Sequence, residues 1–341
     1  MGILQNEIID YLLTLIENGR HGDMLPSQNE LRDKFNVSTV TVRKALERLE
    51  ARGMIYRHQG KGCFVRHPDD SPAVTRLFLI IPRRFTLSNE FIFALVNATQ
   101  ASTYHTIFYH YDGNDESLFH ELQRITPQIV LWLAPALHLY EKTMLKLLSM
   151  PLHLIIFNRN YDHPSINSIS GDFRTDGNAM GTALLQKGVR DILYLSLDMR
   201  VEFSKYRYEG IHDVVEEAGG TMTILDAAKE NPEIVGLDSP DTSGFAESIA
   251  KRLKKKRFDA IVCAQGELWN TMRIALAKAA VPSDGLWFGT FNSLLESQLF
   301  SPNIITVIQP IAQMAEEAVS LASRLLAGGN PERLQFPGQV K

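Results

Sequence analysis

Residues 25–65 read LPSQNELRDKFNVSTVTVRKALERLEARGMIYRHQGKGCFV, and this stretch decides the front of the chain. Ser27 stands three residues before Glu30. That is the spacing of a capping box, in which each side chain accepts the other residue's backbone N–H. Leu31 and Phe35 would share the inner face of the short helix that follows. Asn36-Val37-Ser38 ends it, and Ser38 can cap the next. Val42, Ala45, Leu46 and Leu49 then recur at i, i+3, i+4 and i+7, one face of a second helix. Gly53 stops that helix with left-handed backbone. Met54–His58 and Gly62–Val65 read as two short strands joined across Gln59-Gly60-Lys61. The pattern predicts a winged helix-turn-helix, a unit that sets its second helix in the major groove of DNA.

The residue types suit that task. Ser38, Thr39, Thr41, Arg43 and Lys44 crowd the start of the second helix, where the helix N-terminus also favours a phosphate. Arg57, His58, Gln59 and Lys61 decorate the wing, and the glycines at 60 and 62 allow close approach to a duplex. A helical hairpin that only packs against other protein is the competing reading; it does not explain turn, cap and wing together. Leu25-Pro26-Ser27, Val37-Ser38, Thr41-Val42-Arg43-Lys44-Ala45-Leu46, Leu49, Gly53 and Gly60-Lys61-Gly62-Cys63-Phe64-Val65 resemble the DNA-binding domain of the GntR family of bacterial transcription regulators. The resemblance covers residues 1–66. It implies DNA contacts at Asn29, Ser38, Thr39, Val40, Arg43, Gly60 and Lys61, to which the residue types add Thr41, Lys44 and Gln59. Gln28 stands where many members have Glu, and Thr39 where many have Arg. Without that Arg a strong guanine or phosphate contact is missing, so the operator sequence does not carry over.

The chain has 341 residues, 45% of them hydrophobic, enough for two or three globular domains. Its net charge of −4 is unevenly spread. Residues 1–66 hold 10 basic and 8 acidic side chains, so a mildly basic head precedes an acidic body. The two cysteines, Cys63 and Cys263, form neither a disulfide framework nor a metal spacing. No metal or other cofactor is expected. The first residues lack the basic start of a signal peptide, and no apolar run reaches the ~18 residues of a membrane span. The expected location is cytoplasmic.

His67–Thr75, HPDDSPAVT, reads as an extended linker. From Arg76 the texture changes. Leu77–Ile81 is a continuous apolar run, as in a buried parallel strand. Similar runs recur at Thr106–Tyr111, Gln128–Leu133, Leu152–Phe157, Ile192–Leu197, Ala260–Ala264, Leu286–Phe291 and Ile304–Ile308. Helical patterns, such as Asn89–Thr103, separate most of them. This rhythm predicts an α/β domain of parallel sheets covered by helices over 76–341, large enough for two lobes with a cleft between. Ligands of open α/β sheets bind beyond the carboxyl ends of strands. The basic run Lys254–Arg257 reads as a solvated helix end that complements the helix dipole.

Several stretches of this body resemble the effector domain of the LacI/GalR family, itself similar to periplasmic sugar-binding proteins. They are Arg76–Pro82, Ile169–Gly181 (ISGDFRTDGNAMG), Arg207-Tyr208-Glu209-Gly210 and Ile305–Gly328 (ITVIQPIAQMAEEAVSLASRLLAG). A GntR-type head on such a body resembles the arabinose-responsive repressors. The resemblance implies a small-molecule effector held by Arg207, Gln265, Asn292 and Gln309, with Phe91, Phe173 and Trp269 as apolar walls. Arg207 can bond two hydroxyls or a carboxylate at once. Gly266 and Asn292 replace two Asp residues typical of the family, which leaves amides to hold a sugar and gives room for a phosphorylated or acidic effector, with Arg83 and Arg84 as partners.

No phosphate-cradling loop, dinucleotide fingerprint or nucleophile elbow occurs, and His110 with Asp112 lacks a nucleophile. The expected protein is therefore not an enzyme. It is a ligand-responsive repressor of carbohydrate genes that binds double-stranded operator DNA as a homodimer, with outer helices such as Asn89–Thr103 and Glu116–Arg124 at the dimer interface and no membrane partner. The alternatives are an intracellular solute-binding protein or enzyme whose head only dimerises, and a regulator with a degenerate pocket that answers to a protein partner.

Overall fold

The computed structural model describes residues 3–19, 23–51, 54–58, 62–65, 75–82, 89–161, 163, 165–230, 242–292 and 303–341. Gly53, Gln59, Gly60 and Lys61, most of the linker, and Arg83 and Arg84 lie outside them. The chain falls into two compact units, Met1–Val74 and Thr75–Lys341.

In the first unit, helix α1 (Ile3–Asn18) precedes α2 (Gln28–Phe35) and α3 (Thr39–Ala51), followed by antiparallel strands β1 (Ile55–His58) and β2 (Gly62–Val65). The capping box is present: Ser27 Oγ accepts from Glu30 N–H, and Glu30 accepts from Ser27 N–H at 2.7 Å. Asn36 ends α2 in left-handed backbone, φ 47°, a conformation Asn tolerates. Ser38 Oγ accepts from Thr41 N–H at 3.2 Å and so caps α3. Ile8, Leu12, Leu31, Val42, Ala45, Leu46, Leu49 and Ile55 form one closed core. On α1, Ile9 and Ile16 join that core, while Tyr11 and Leu15 pack only at its margin.

The second unit carries two six-stranded sheets. Lobe 1 has β3 (Arg76–Pro82), β4 (His105–Tyr111), β5 (Ile129–Leu133), β6 (His153–Phe157), β7 (Asn167–Gly171) and β13 (Arg333–Phe336), ordered β13-β7-β6-β5-β3-β4 and wholly parallel. Lobe 2 has β8 (Asp191–Ser196), β9 (Thr221–Asp226), β10 (Ala260–Cys263), β11 (Trp287–Phe291), β12 (Ile304–Ile308) and β14 (Gln339–Val340), ordered β14-β12-β11-β10-β8-β9. Only β14 is antiparallel. Helices α4 (Asn89–Gln100), α5 (Asp115–Ile125), α6 (Glu141–Leu148) and α12 (Ile311–Leu326) accompany lobe 1. Helices α7 (Phe173–Gln186), α8 (Glu202–Glu217), α9 (Ala227–Glu230), α10 (Ser243–Lys255) and α11 (Leu268–Ala279) accompany lobe 2. Each lobe has apolar clusters on both faces of its sheet, the arrangement that parallel strands require.

The eight continuous apolar runs are all strands. Strands β7, β9, β13 and β14 are not among those runs: β9 and β13 are half-exposed, β14 is a two-residue exposed strand, and β7, Asn-Ser-Ile-Ser-Gly, is buried but mostly polar. Helix α4 stops at Gln100, short of Thr103.

The chain passes between lobes three times: at Gly171–Asp172, at Gln309–Pro310, and at Pro337–Gly338. Helices α7 and α8 lie backbone against backbone. A Cβ on Gly177 would collide with the Arg207 carbonyl, and one on Gly210 with that of Arg174. This contact fixes Arg207 against α7. Gly210→Ala should therefore force the helices apart and cost roughly 1–3 kcal/mol as overpacking, read as a lowered midpoint in urea unfolding of the full chain.

Candidate nucleic-acid interface and effector site

Helix α3 buries Val42, Ala45, Leu46 and Leu49, and this one-sided burial leaves Ser38, Thr39, Val40, Arg43 and Lys44 exposed. Val40 is 52% exposed, unusual for an isolated Val and suited to an apolar contact such as a thymine methyl. Ser38 and Thr41 hydroxyls lie 2.9 Å apart, so the pair is partly committed to the cap. Thr39, Val40, Arg43 and Lys44 form the open leading edge. Arg43 meets Glu47 at 3.5 Å across an exposed i, i+4 pair, a weak tether. Asn29 is exposed on α2. Arg57, read as a wing decoration, instead pairs with Glu50 of α3 at 3.0 Å and ties the wing to the helix.

In the second unit the loops after β5 and β6 meet the start of α8 and the loop after β8. Arg159, two residues beyond β6, lies 3.6 Å from Glu202. Its guanidinium stands 5.0 Å from the Phe203 ring. His138 Nε2 lies 3.3 Å from Asp198, which Arg200 also grips at 2.9 and 3.0 Å. The carboxyl edges of the two sheets thus face each other. Burial holds Arg159 below the usual arginine range against the pull of Glu202 and Glu267. Burial likewise pushes Glu202 up, opposed by Arg159, and lowers His138, opposed by Asp198.

Arg207 is 5% exposed. Its Nη1 donates to the Ala264 carbonyl at 2.7 Å, just past β10. The guanidinium sits 4.1 Å from the Phe291 ring, 5.2 Å from Phe173 and 5.3 Å from Phe203. Burial lowers Arg207 to about 10, with Asp176 the largest opposing influence. Its Nε has no hydrogen-bond partner. Other buried polar atoms without partners lie within two residues of a strand's carboxyl end. They belong to Asn158, Ser170, Ser196, Gln265, Thr290 and Gln309. Buried polar groups are ordinarily satisfied by protein or water, so these strand ends are candidate contact points for a polar ligand.

Asn292 sits in left-handed backbone, φ 60°. Its amide nitrogen donates to Gln309 Oε1 at 2.5 Å, and its oxygen accepts from Gln309 N–H at 2.8 Å. A Cβ on Gly171 would collide with the Gln309 side chain, so the first two crossovers touch here. Gln265 is half-buried and donates to Glu267 at 3.2 Å. Phe173 packs against Phe203, centroids 6.1 Å apart, beside Arg207. Phe91 belongs to the lobe 1 core and meets Phe157, at the end of β6, edge-on at 6.1 Å. Trp269 corrects its reading as an apolar wall. It is 1% exposed within the lobe 2 core and edge-on to Phe288 at 5.8 Å, because α11 turns that face onto its own sheet. Sequence reading passed over Arg159, Phe203 and Phe291. The signal for Arg159 was its place directly after an unbroken apolar strand; nothing local marks Phe203.

Residues 4–65 match the family described as bacterial regulatory proteins, gntR family, and carry a GntR-type helix-turn-helix domain. The chain is 29% identical over 180 residues to the HTH-type transcriptional regulator RegA of Clostridium saccharobutylicum, covering 52% of this chain and 49% of that one. It is 24% identical over 252 residues to the HTH-type transcriptional regulator GalR of Escherichia coli, covering 70% and 69%. The chain thus spans about half the length of RegA. The crystal structure of transcription regulator CcpA of Lactococcus lactis superposes with a TM-score of 0.64 at 14% identity, over 79% of this chain and 97% of that one. Thr75–Lys341 accordingly has the two-lobed fold of the LacI-type effector domain.

Arg159→Ala leaves Glu202 buried without its cation, which should cost about 3–5 kcal/mol near neutral pH. The folded-state pKa of Glu202 is already above its ordinary value, so its protonation favours the folded state as pH falls. The deficit relative to wild type should shrink toward about pH 5, as measured by urea unfolding across pH.

Proposed function

We propose that the protein is a ligand-responsive, sequence-specific transcription regulator that represses carbohydrate genes from the cytoplasm. The head reads operator DNA with the open edge of α3, where Arg43 and Lys44 supply phosphate or guanine contacts and Thr39 and Val40 sample base edges. Asn29 of α2 adds a further contact, and Gln59, Gly60 and Lys61 are proposed contacts on sequence grounds. A homodimer presents two heads to two half-sites. Outer helices of lobe 1 form its interface, and the exposed Phe93 on α4 (65% exposed) supports that placement.

The effector binds between the lobes, and the observation that supports this is the set of unpartnered polar atoms at the carboxyl ends of strands in both lobes. Most are hydroxyl or carbonyl oxygens. A ligand dense in O–H donors satisfies them, which is the chemistry of a sugar or sugar derivative. Arg207, Gln265 and Gln309 hold its polar edge, with Asn292 fixing Gln309; Phe173 offers an apolar face and Phe91 backs it from the lobe 1 core. The ligand acts only through its differential affinity for two lobe arrangements. No described cluster of His, Cys, Asp and Glu could hold a metal, and no described helix is long and apolar enough to cross a membrane. We assign no catalytic role.

One observation favours a second reading, a regulator with a degenerate pocket that answers to a protein. Asn292 and Gln309 spend much of their bonding capacity on each other. A melting-temperature screen with sugars and sugar phosphates separates the two, since a ligand that binds the folded state raises the midpoint.

In a mobility-shift assay at low salt the protein should retain DNA from its own promoter region. Arg43→Ala should weaken that binding by ~1–3 kcal/mol with the circular dichroism spectrum unchanged. Full affinity in Arg43→Ala would mean that the head does not read DNA.

A further inference from the structure

One short segment of lobe 2, Asp198 to Phe203, meets lobe 1 at two ionic contacts. His138, after β5, stands 3.3 Å from Asp198, and Arg159, after β6, stands 3.6 Å from Glu202 at the start of α8. Arg159 is a fixture of lobe 1. It is buried, its Nη1 donates to the Asn158 carbonyl at 2.6 Å, and its Nε donates to the Pro135 carbonyl at 3.3 Å. The acids that act on it belong to lobe 2: Glu202, and Glu267 just before α11. Glu202 Oε1 is buried and makes no hydrogen bond, so the cation beside it is what compensates its charge. The Asn160 N–H, also of lobe 1, stabilises the same carboxylate. The Phe203 ring lies 5.0 Å from the Arg159 guanidinium and 5.3 Å from that of Arg207, one turn further along α8.

Each lobe therefore carries a charge that the other lobe takes out of water. When the lobes part, both charges return to solvent, so the intact pair adds little net attraction. Its influence lies in what happens when one partner is missing. The remaining charge is then buried without compensation, and the meeting of the lobes becomes unfavourable. We propose that Arg159 and Glu202 are positioning residues that act as a matched key across the cleft. The lobes meet in this arrangement when both charges are present or both are absent, and not with one alone. The consequence for regulation rests on the effector reading above: Glu202, Phe203 and Arg207 share one helix, so a ligand held by Arg207 bears on an α8 already registered against lobe 1.

The test uses the full chain, spin-labelled at Lys142→Cys on α6 and Lys251→Cys on α10, both exposed and on different lobes. The native Cys63 and Cys263 are buried. Labelled protein is diluted with unlabelled chain, so that distances between copies drop out. The interlobe distance is read by electron double resonance at about pH 8, where carboxylates are ionised. Arg159→Met strands Glu202 and should displace the main distance from its wild-type value. Adding Glu202→Gln to Arg159→Met should return it. Both variants lack the bonds from Arg159 to Pro135 and Asn158, so a displacement that persists in the double variant belongs to those bonds and overturns the proposal. An unmoved distance in Arg159→Met overturns it as well. If Arg159→Met fails to fold, Glu202→Lys decides, since its ammonium would face Arg159; a wild-type distance there overturns the proposal. No ligand or DNA enters this readout. If the pair behaves as stated and no sugar or sugar phosphate raises the melting temperature, the effector reading alone fails. If a sugar raises it and the distance ignores the substitutions, the key alone fails.

Discussion

Taking a guanidinium out of water is costly unless its N–H groups find acceptors, and the second unit is arranged around doing so at Arg207. The glycine contact between α7 and α8 brings the Arg207 backbone against α7. The Ala264 carbonyl receives one N–H, three phenyl rings surround the planar group, and Asp176 supplies the balancing charge. That leaves Nε unsatisfied in a neighbourhood of other unsatisfied atoms. That incomplete bonding is what the proposed effector site rests on.

The two units solve different problems. In the head, one apolar core of three helices and a hairpin frees a helix face to present Thr39, Val40, Arg43 and Lys44 at its leading end. Its affinity for DNA would come from a few exposed side chains on a rigid scaffold, so the fold acts by presentation. In the body, the proposed effector site lies between two lobes. The crossovers at Gly171, Gln309 and Gly338 let two sheets share one edge, and contacts such as Arg159 with Glu202 span it. A hinge of few strands is soft enough for a ligand's differential affinity, a few kcal/mol, to shift it.

Local physics wrote much of this into the chain in readable form. The capping box at Ser27 and Glu30, the spacing of Val42 through Leu49, and the apolar runs of β3, β5, β6 and β12 each depend on residues near one another in sequence. Amphipathic spacing sets which face of α3 is buried, and hence which side chains stay open. Strands β9 and β13 were illegible because half-exposed residues interrupt any apolar run, and β7 because its buried residues are mostly polar.

The site in the body was only half legible, for a different reason. Arg207 and Gln309 could be picked out, but Trp269 looked equally eligible until the sheet it covers was known. Arg159, Phe203 and Asp176 gain their meaning from neighbours 43 or more positions away for the first and 31 or more for the last. The sequence by itself determined the reading head, the alternation of strands and helices, and the separation of a basic front from an acidic body. Which polar groups meet across the lobes, and which are left without partners, was decided by tertiary structure alone. Periodicity is a property of neighbours along the chain, whereas burial and charge pairing are properties of neighbours in space.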